Sequence, residues 1–161
     1  MRLVFQVTPT QRLIIVEGAV KQMHAYAQRS WWQAEAGGAL LGRHLLDSED
    51  LVVDEVTTPQ KHDRRSRFSF FRSKQHGVVA RARWAERDST MAYLGLWHTH
   101  PERDPMPSGV DRRDWEQALA NDVFEGDRLF FPIVGTDRIR VWSKTRGGPI
   151  EELEELRSDD G

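Results

Sequence analysis

Two histidines and an aspartate stand close together in the second half of the chain, in a pattern suited to metal binding. One residue separates His98 from His100, and Asp111 follows three positions after Ser108. Two neutral imidazole nitrogens and one carboxylate oxygen suit zinc and leave a fourth tetrahedral position to water. Zinc lowers the pKa of that water, so hydroxide becomes available to attack a carbonyl. The spacing therefore indicates a catalytic zinc site.

Hydrolysis at such a site also needs a carboxylate that takes the proton of the attacking water. The best candidate is Glu35, which precedes the paired glycines Gly37 and Gly38 at the start of another apolar run. Paired glycines let the backbone approach a neighbouring group closely. A charged residue at a strand entrance is the alternative for Glu35, and the metal motif favours the catalytic role. Glu102 and Asp104 are weaker alternative ligands.

The elements that position these side chains follow from the residues around them. The seven residues before His98 form a short apolar run, which predicts a buried strand. Side chains two apart on a strand share a face, so His98 and His100 point to the same side. Ser108 is predicted to cap the helix that carries Asp111 in its first turn. A plain capping arrangement is the alternative, and it is compatible with metal binding because a capped helix start is rigid.

The rest of the chain reads as alternating strands and helices. Strands are predicted at residues 3–7, 13–16, 35–46, 51–57, 129–135 and 139–142, and further helices at 17–29 and 73–87. This alternation predicts an α/β domain with a mixed, curved sheet and flanking helices. Residues 1–150 are expected to form a single domain, followed by an acidic tail, residues 151–161, that is a frayed helix ending in disorder.

Two surface features have alternative interpretations. The tandem Trp31-Trp32 is interpreted as packing at the end of the first helix, and the alternative is an exposed aromatic anchor for a protein partner. The basic cluster at residues 61–67 is either a solvated loop or a patch that docks an acidic surface. Phe68 and Phe70 alternate in the way typical of a strand with an inward aromatic face.

Composition limits the classes of partner. Of the 161 residues, 39% are hydrophobic and 30% charged, and the formal net charge is -2. This balance gives no reason to expect binding to nucleic acid or to a membrane. The apolar N-terminal run is too short for a signal peptide, and no segment approaches the roughly 20 apolar residues of a membrane span. The absence of cysteine fits a reducing compartment, so the expected location is cytoplasmic.

The combined pattern resembles a known family over residues 12–143. His-x-His, seven residues and Ser-x-x-Asp, preceded by Glu-x-Gly-Gly-x-Leu-Leu-Gly, is similar to the JAMM, or MPN-type, zinc metalloproteases. The resemblance implies an MPN-type, cytidine deaminase-like fold. It also implies a role for each matching residue: zinc binding by His98, His100 and Asp111, general-base catalysis by Glu35, and stabilisation of the tetrahedral oxyanion by Ser108. No member of the set is missing, which disfavours a catalytically dead scaffold.

Within the family, the small size and the segment 64–70 look most like bacterial peptidases found beside E1/E2-like enzymes, notably the deconjugating peptidase of the CBASS anti-phage system. The resemblance implies a zinc-dependent isopeptidase or peptidase that cleaves a ubiquitin-like or nucleotidyltransferase C-terminal tail from its conjugate. The resemblance also implies E1/E2-like enzymes as operon partners. Two alternatives stay open: a non-catalytic MPN interaction module, and a zinc hydrolase of small molecules or free peptides.

Overall fold

The computed structural model describes residues 1–73, 75–86 and 91–157. In chain order the elements are β1 (Leu3–Thr8), β2 (Gln11–Ile15), α1 (Glu17–His24), β3 (Gly37–His44), β4 (Leu51–Val56), β5 (Arg64–Ser66), β6 (Ser69–Phe71), α2 (Gln75–Glu86), β7 (Ala92–Thr99), α3 (Gly109–Asn121), β8 (Arg128–Val134), β9 (Ile139–Thr145), β10 (Ile150–Glu152) and β11 (Glu154–Glu155). No helix among these residues is long and apolar enough to cross a membrane.

Nine strands form one mixed sheet in the order β10-β9-β8-β7-β3-β4-β2-β1-β11. The pairs β7–β8 and β2–β4 are parallel, and the other neighbouring pairs are antiparallel. β5 and β6 form a separate two-stranded hairpin. The prediction of a mixed sheet with flanking helices is confirmed.

The C-terminal segment shows why the sheet is curved. Only Leu153 separates β10 from β11, yet β10 pairs with β9 at one edge and β11 pairs with β1 at the other. The edges of a flat nine-stranded sheet would lie roughly 40 Å apart at ordinary strand spacing. One residue spans only about 3.5 Å, so the sheet must curl until it is nearly closed.

The prediction of a frayed helix in the tail is therefore wrong for residues 151–155. These residues form strands because they supply backbone partners to both edges of the sheet, and Leu153 adds its side chain to the core at 6% exposure. The expected domain boundary at residue 150 falls at the start of β10. Residues 158–161 lie outside the described part of the chain.

Both faces of the sheet carry an apolar core. One cluster takes in Met23 from α1 and Trp97 from β7, and the other takes in Trp115 from α3 and Leu96 from β7. Neighbouring residues of β7 therefore point into opposite clusters, which explains why this strand is apolar almost throughout. The ring of Trp115 stacks on Phe131 with centroids 4.6 Å apart and fixes α3 against the sheet.

Several element boundaries differ from the predictions. α1 ends at His24 instead of continuing to residue 29, because the buried Gln28 side chain donates to the carbonyls of Gln33 and Arg67 and holds the following residues in a loop. The expected helix at 73–87 is observed from Gln75 to Glu86, and its predicted last residue lies outside the described chain. The strands predicted at 35–46 and 51–57 are observed as the antiparallel pair β3–β4, and those predicted at 129–135 and 139–142 as the antiparallel pair β8–β9.

Three aromatic side chains are more exposed than predicted. Trp31 and Trp32 are 76% and 70% exposed, so packing against the end of the first helix is the wrong interpretation. Phe68 lies in the turn between β5 and β6 and is 76% exposed, so the expected inward aromatic face does not include it. The alternating pattern predicted the wrong environment for Phe68, because β5 ends before this residue and β6 begins after it.

Candidate active site

The pairing of β3 with β7 brings Glu35 to the histidines. Gly37 lies opposite His98 in this antiparallel pair, so the residue two positions before Gly37 is beside the end of β7. A side chain on Gly37 would place its Cβ 2.6 Å from the carbonyl oxygen of Trp97, and one on Gly38 would collide with the Thr57 carbonyl. The glycines therefore permit the close backbone approach that the sequence analysis expected.

The side chains of His98, His100 and Asp111 converge on one point. The Nε2 atoms of the two histidines are 3.0 Å apart. Asp111 places Oδ1 3.1 Å from Nε2 of His98 and Oδ2 3.0 Å from Nε2 of His100. With Glu35, the four side chains each offer one donor atom, and these atoms all lie within 4.8 Å of one another. This cluster has the donors and the spacing to hold a metal ion.

The start of α3 fixes Asp111. Ser108 accepts a hydrogen bond at Oγ from the backbone N–H of Asp111 (3.1 Å), and Oδ2 of Asp111 accepts one from the Ser108 N–H (2.8 Å). The Asp111 carboxylate thus belongs to the helix cap and to the cluster at the same time. Burial raises the pKa of Asp111, but hydrogen bonds from His100 and His98 outweigh it and hold that pKa well below its usual range.

Glu102 has a role that residue spacing did not indicate. Its Oε1 lies 2.9 Å from Nδ1 of His100, on the side of the ring that faces away from the cluster. A carboxylate there holds the proton on Nδ1 and leaves Nε2 free to act as a donor atom toward a metal ion. Asp104, the other weaker candidate, pairs instead with Arg140 at 3.3 Å. An acidic residue two positions after a histidine is a weak signal, and only the fold showed this contact.

Glu35 is almost fully buried, and the β5–β6 hairpin holds its backbone. Its backbone N–H donates to the Ser66 carbonyl (2.6 Å), and Nε of Arg65 donates to the Glu35 carbonyl (3.0 Å). Only 6% of the residue is exposed. Burial raises the pKa of Glu35 to about 8, the charge of His100 opposes this, and the charge of Asp111 adds to it.

A cavity of about 730 Å³ opens over the cluster. One wall is formed by the β5–β6 hairpin and the residues after it, which contribute Phe68, Phe70 and Arg72. The opposite wall is the first half of α3, where Val110 and Asp114 line the space. An ion pair of 2.7 Å between Arg72 and Asp114 joins the two walls. The cavity therefore offers a path between hairpin and helix to the buried carboxylate and histidines.

Comparison with known proteins identifies the class. Residues 16–144 match the family described as prokaryotic homologs of the JAB domain, and the chain belongs to that family. The fold agrees with the MPN-type fold that the JAMM resemblance implies. Among solved structures, a protein from Desulfitobacterium hafniense has a similar fold, with a TM-score of 0.61, 24% identity, and coverage of 86% of this chain and 87% of that one.

Two curated relatives share one name and match most of this chain. A protein of Vibrio cholerae named CD-NTase/cGAS isopeptidase is 32% identical over 147 residues, which cover 91% of this chain and 90% of the relative. A protein of Pseudomonas aeruginosa with the same name is 36% identical over 105 residues, 65% of each chain. In the second comparison the match thus spans slightly less than two thirds of the relative.

Proposed function

We propose that this protein is a zinc-dependent isopeptidase that releases a CD-NTase-type nucleotidyltransferase from a conjugate by cleaving after its C-terminal tail. The observation that carries the proposal is the buried Glu35 carboxyl beside His98, His100 and Asp111 at the bottom of a cavity. The relatives named CD-NTase/cGAS isopeptidase supply the substrate class. E1/E2-like enzymes are the expected source of the conjugate, and we place the catalytic domain between residues 1 and 155 because β11 belongs to its sheet.

His98, His100 and Asp111 are the residues that would hold the zinc. Their donor atoms point at one another across 3.0–3.1 Å, a spacing that only a shared proton or a shared cation makes favourable. The contact of Glu102 with the far nitrogen of His100 supports Nε2 as the coordinating atom. Bound there, zinc supplies Lewis acidity and a water of lowered pKa.

The remaining chemistry falls to Glu35 and Ser108. Glu35 accepts a proton from the attacking water and passes it to the departing amine of the substrate. A cation at the cluster favours the ionised carboxylate and opposes the effect of burial on its pKa. The Ser108 hydroxyl lines the cavity and donates a hydrogen bond to the oxyanion that develops on the scissile carbonyl.

The shape of the cavity favours an extended tail with a small last residue. Phe70 on the hairpin and Val110 on α3 face the same space, so bulk beside the scissile carbonyl would collide with one wall or the other. A strand-like tail enters such a space with its backbone extended and its carbonyl toward the cluster.

This proposal is tested with fusions of a CD-NTase from the same genome to a reporter protein, made with glycine or tryptophan as the last residue of the tail. Zinc-loaded protein should cleave the glycine fusion and lose activity with a chelator, and it should cleave the tryptophan fusion at least about tenfold more slowly. A bacterial ubiquitin-like fusion is the second arm. Equal cleavage of both tails would contradict selection by the two walls of the cavity. If the zinc-loaded protein cleaved neither the protein fusions nor a CD-NTase tail joined to a lysine side chain, a binding module or a small-substrate hydrolase would replace the isopeptidase.

A further inference from the structure

Trp31 and Trp32 form an exposed and well-held aromatic pair beside the site. Their rings meet edge to face with centroids 6.1 Å apart. The turn that carries them is closed by two hydrogen bonds, from Ser30 N–H to Oε1 of Gln33 (2.7 Å) and from Gln33 N–H to the Ser30 carbonyl (3.0 Å). Two large apolar rings kept in water by a closed turn leave much surface available for burial against a partner.

This pair is continuous with the rim of the cavity. Arg67 donates to the Ser30 carbonyl (3.1 Å), and its guanidinium lies over the Phe68 ring, 5.5 Å from the centroid. Phe68 itself lines the cavity. We call Trp31, Trp32 and Phe68 the aromatic ridge, because Arg67 connects its two ends into one surface that starts where the cavity opens.

The surroundings of the ridge are basic. Residues 28–33 and 64–70, which carry it, contain four arginines and no acidic residue, whereas the whole chain has a formal net charge of -2. Three of these arginines, Arg29, Arg64 and Arg65, are exposed. An apolar centre with a positively charged rim is complementary to an apolar patch ringed by acidic side chains.

We propose that the aromatic ridge docks the folded body of the protein whose C-terminal tail occupies the cavity. The inference rests on the proposed function and adds to it the surface that recognises the conjugate. Phe68 lines the cavity, so a tail that has its scissile carbonyl at the cluster and leaves on the hairpin side brings the body of the same molecule onto the ridge. Docking of this kind makes the folded conjugate a better substrate than the free tail and appears in KM.

The test compares two substrates that share one scissile bond, the CD-NTase fusion and a short peptide with the same tail. We expect the Trp31→Ala/Trp32→Ala variant to lose on the order of tenfold to a hundredfold in kcat/KM on the fusion, mainly through KM, and to cleave the peptide normally. Trp31→Phe/Trp32→Phe should recover part of the loss. The control is Leu46→Ala/Val123→Ala, since these side chains are 105% and 93% exposed and do not line the cavity.

Three results would overturn the inference. The first is unchanged cleavage of the fusion by the double variant, and the second is an equal loss of kcat/KM on the fusion and on the peptide. The third is a self-association of the protein that the double variant abolishes while cleavage of the fusion stays the same. Thermal unfolding of each variant verifies that it is folded. Failure of the proposed function looks different, because the wild type would then cleave neither substrate. In that case, binding of the unfused CD-NTase to Glu35→Gln protein still tests the docking role of the ridge. Binding that depends on the two tryptophans supports this role, and binding that does not depend on them contradicts it.

Discussion

The contacts within the site divide its side chains into two groups. His98, His100 and Asp111 contact one another, whereas Glu35 approaches them from the residues before β3 and is joined through its backbone to the β5–β6 hairpin. Substitution of a donor atom should therefore affect metal content, and substitution of Glu35 should affect chemistry.

Glu102 provides a test of this division at the residue scale. Glu102→Gln removes the negative charge beside Nδ1 of His100, so zinc affinity should fall by about 10- to 100-fold while kcat at saturating zinc changes little. Competition with a chelator of known affinity measures the change. Asp104→Asn, in the same loop but paired with Arg140, is the matched control. Equal zinc affinity in Glu102→Gln and wild type would show that Glu102 does not support His100.

The grouping of the site residues was predictable from the sequence where position in the chain translates directly into position in space. Alternation on β7 placed two histidines on one face, and the capping signal placed Asp111 in the first turn of α3. The Glu102 contact depends on the path of a loop, which no periodicity encodes. Exposure of Trp31 and Trp32 was predicted wrongly because hydrophobicity shows a preference for burial and not whether anything covers the ring.

At the scale of elements, the hairpin that walls the cavity is held by a buried relay behind it. Oγ1 of Thr57 lies 2.6 Å from Nδ1 of His76, within hydrogen-bond distance, and Nε2 of His76 donates to Asp63 (2.7 Å). Asp63 also accepts hydrogen bonds from the backbone N–H groups of Gln60 and Ser73, both at 2.7 Å. The relay ties the segment between β4 and α2 to the sheet, so the wall of the cavity depends on it.

Asp63→Asn should lower the free energy of unfolding by about 1–3 kcal/mol at neutral pH, since a buried charged acceptor is lost. Burial raises the pKa of Asp63, but the hydrogen bonds from Gln60, His76 and Ser73 lower this pKa by more than burial raises it. The net effect is a pKa below the ordinary 3.8. A depressed pKa stabilises the fold above the unfolded value and less as pH falls through the folded value. Denaturant titrations from about pH 7 to about pH 2 should therefore show a constant difference between the wild type and the variant above about pH 4, and a shrinking difference below it. A difference that stays constant or grows below about pH 4 would contradict an ionised Asp63.

At the scale of the whole molecule, the side chains proposed to bind the metal and those proposed to select the substrate lie on different parts. The nearly closed sheet and α3 carry the histidines and Asp111, whereas the β5–β6 hairpin is a separate small sheet that walls the cavity and carries one end of the aromatic ridge. The Arg72–Asp114 ion pair connects the two parts across the opening. The alternation of strands and helices predicted the scaffold, but the pairing of β11 with β1 joins Phe5 to Glu155, and local patterns do not contain a pairing between such distant residues.

The most direct test of the account is the comparison of Glu35→Gln with His98→Ala for both zinc content and cleavage of the glycine-tailed CD-NTase fusion. Glu35→Gln should keep about one zinc per chain and its fold, and its kcat should fall by at least about 100- to 10,000-fold, because general-base catalysis is lost while coordination is kept. His98→Ala should lose zinc and activity together. Loss of zinc from Glu35→Gln, or turnover close to that of the wild type with zinc retained, would contradict the assignment of Glu35 as the base and with it the proposed mechanism.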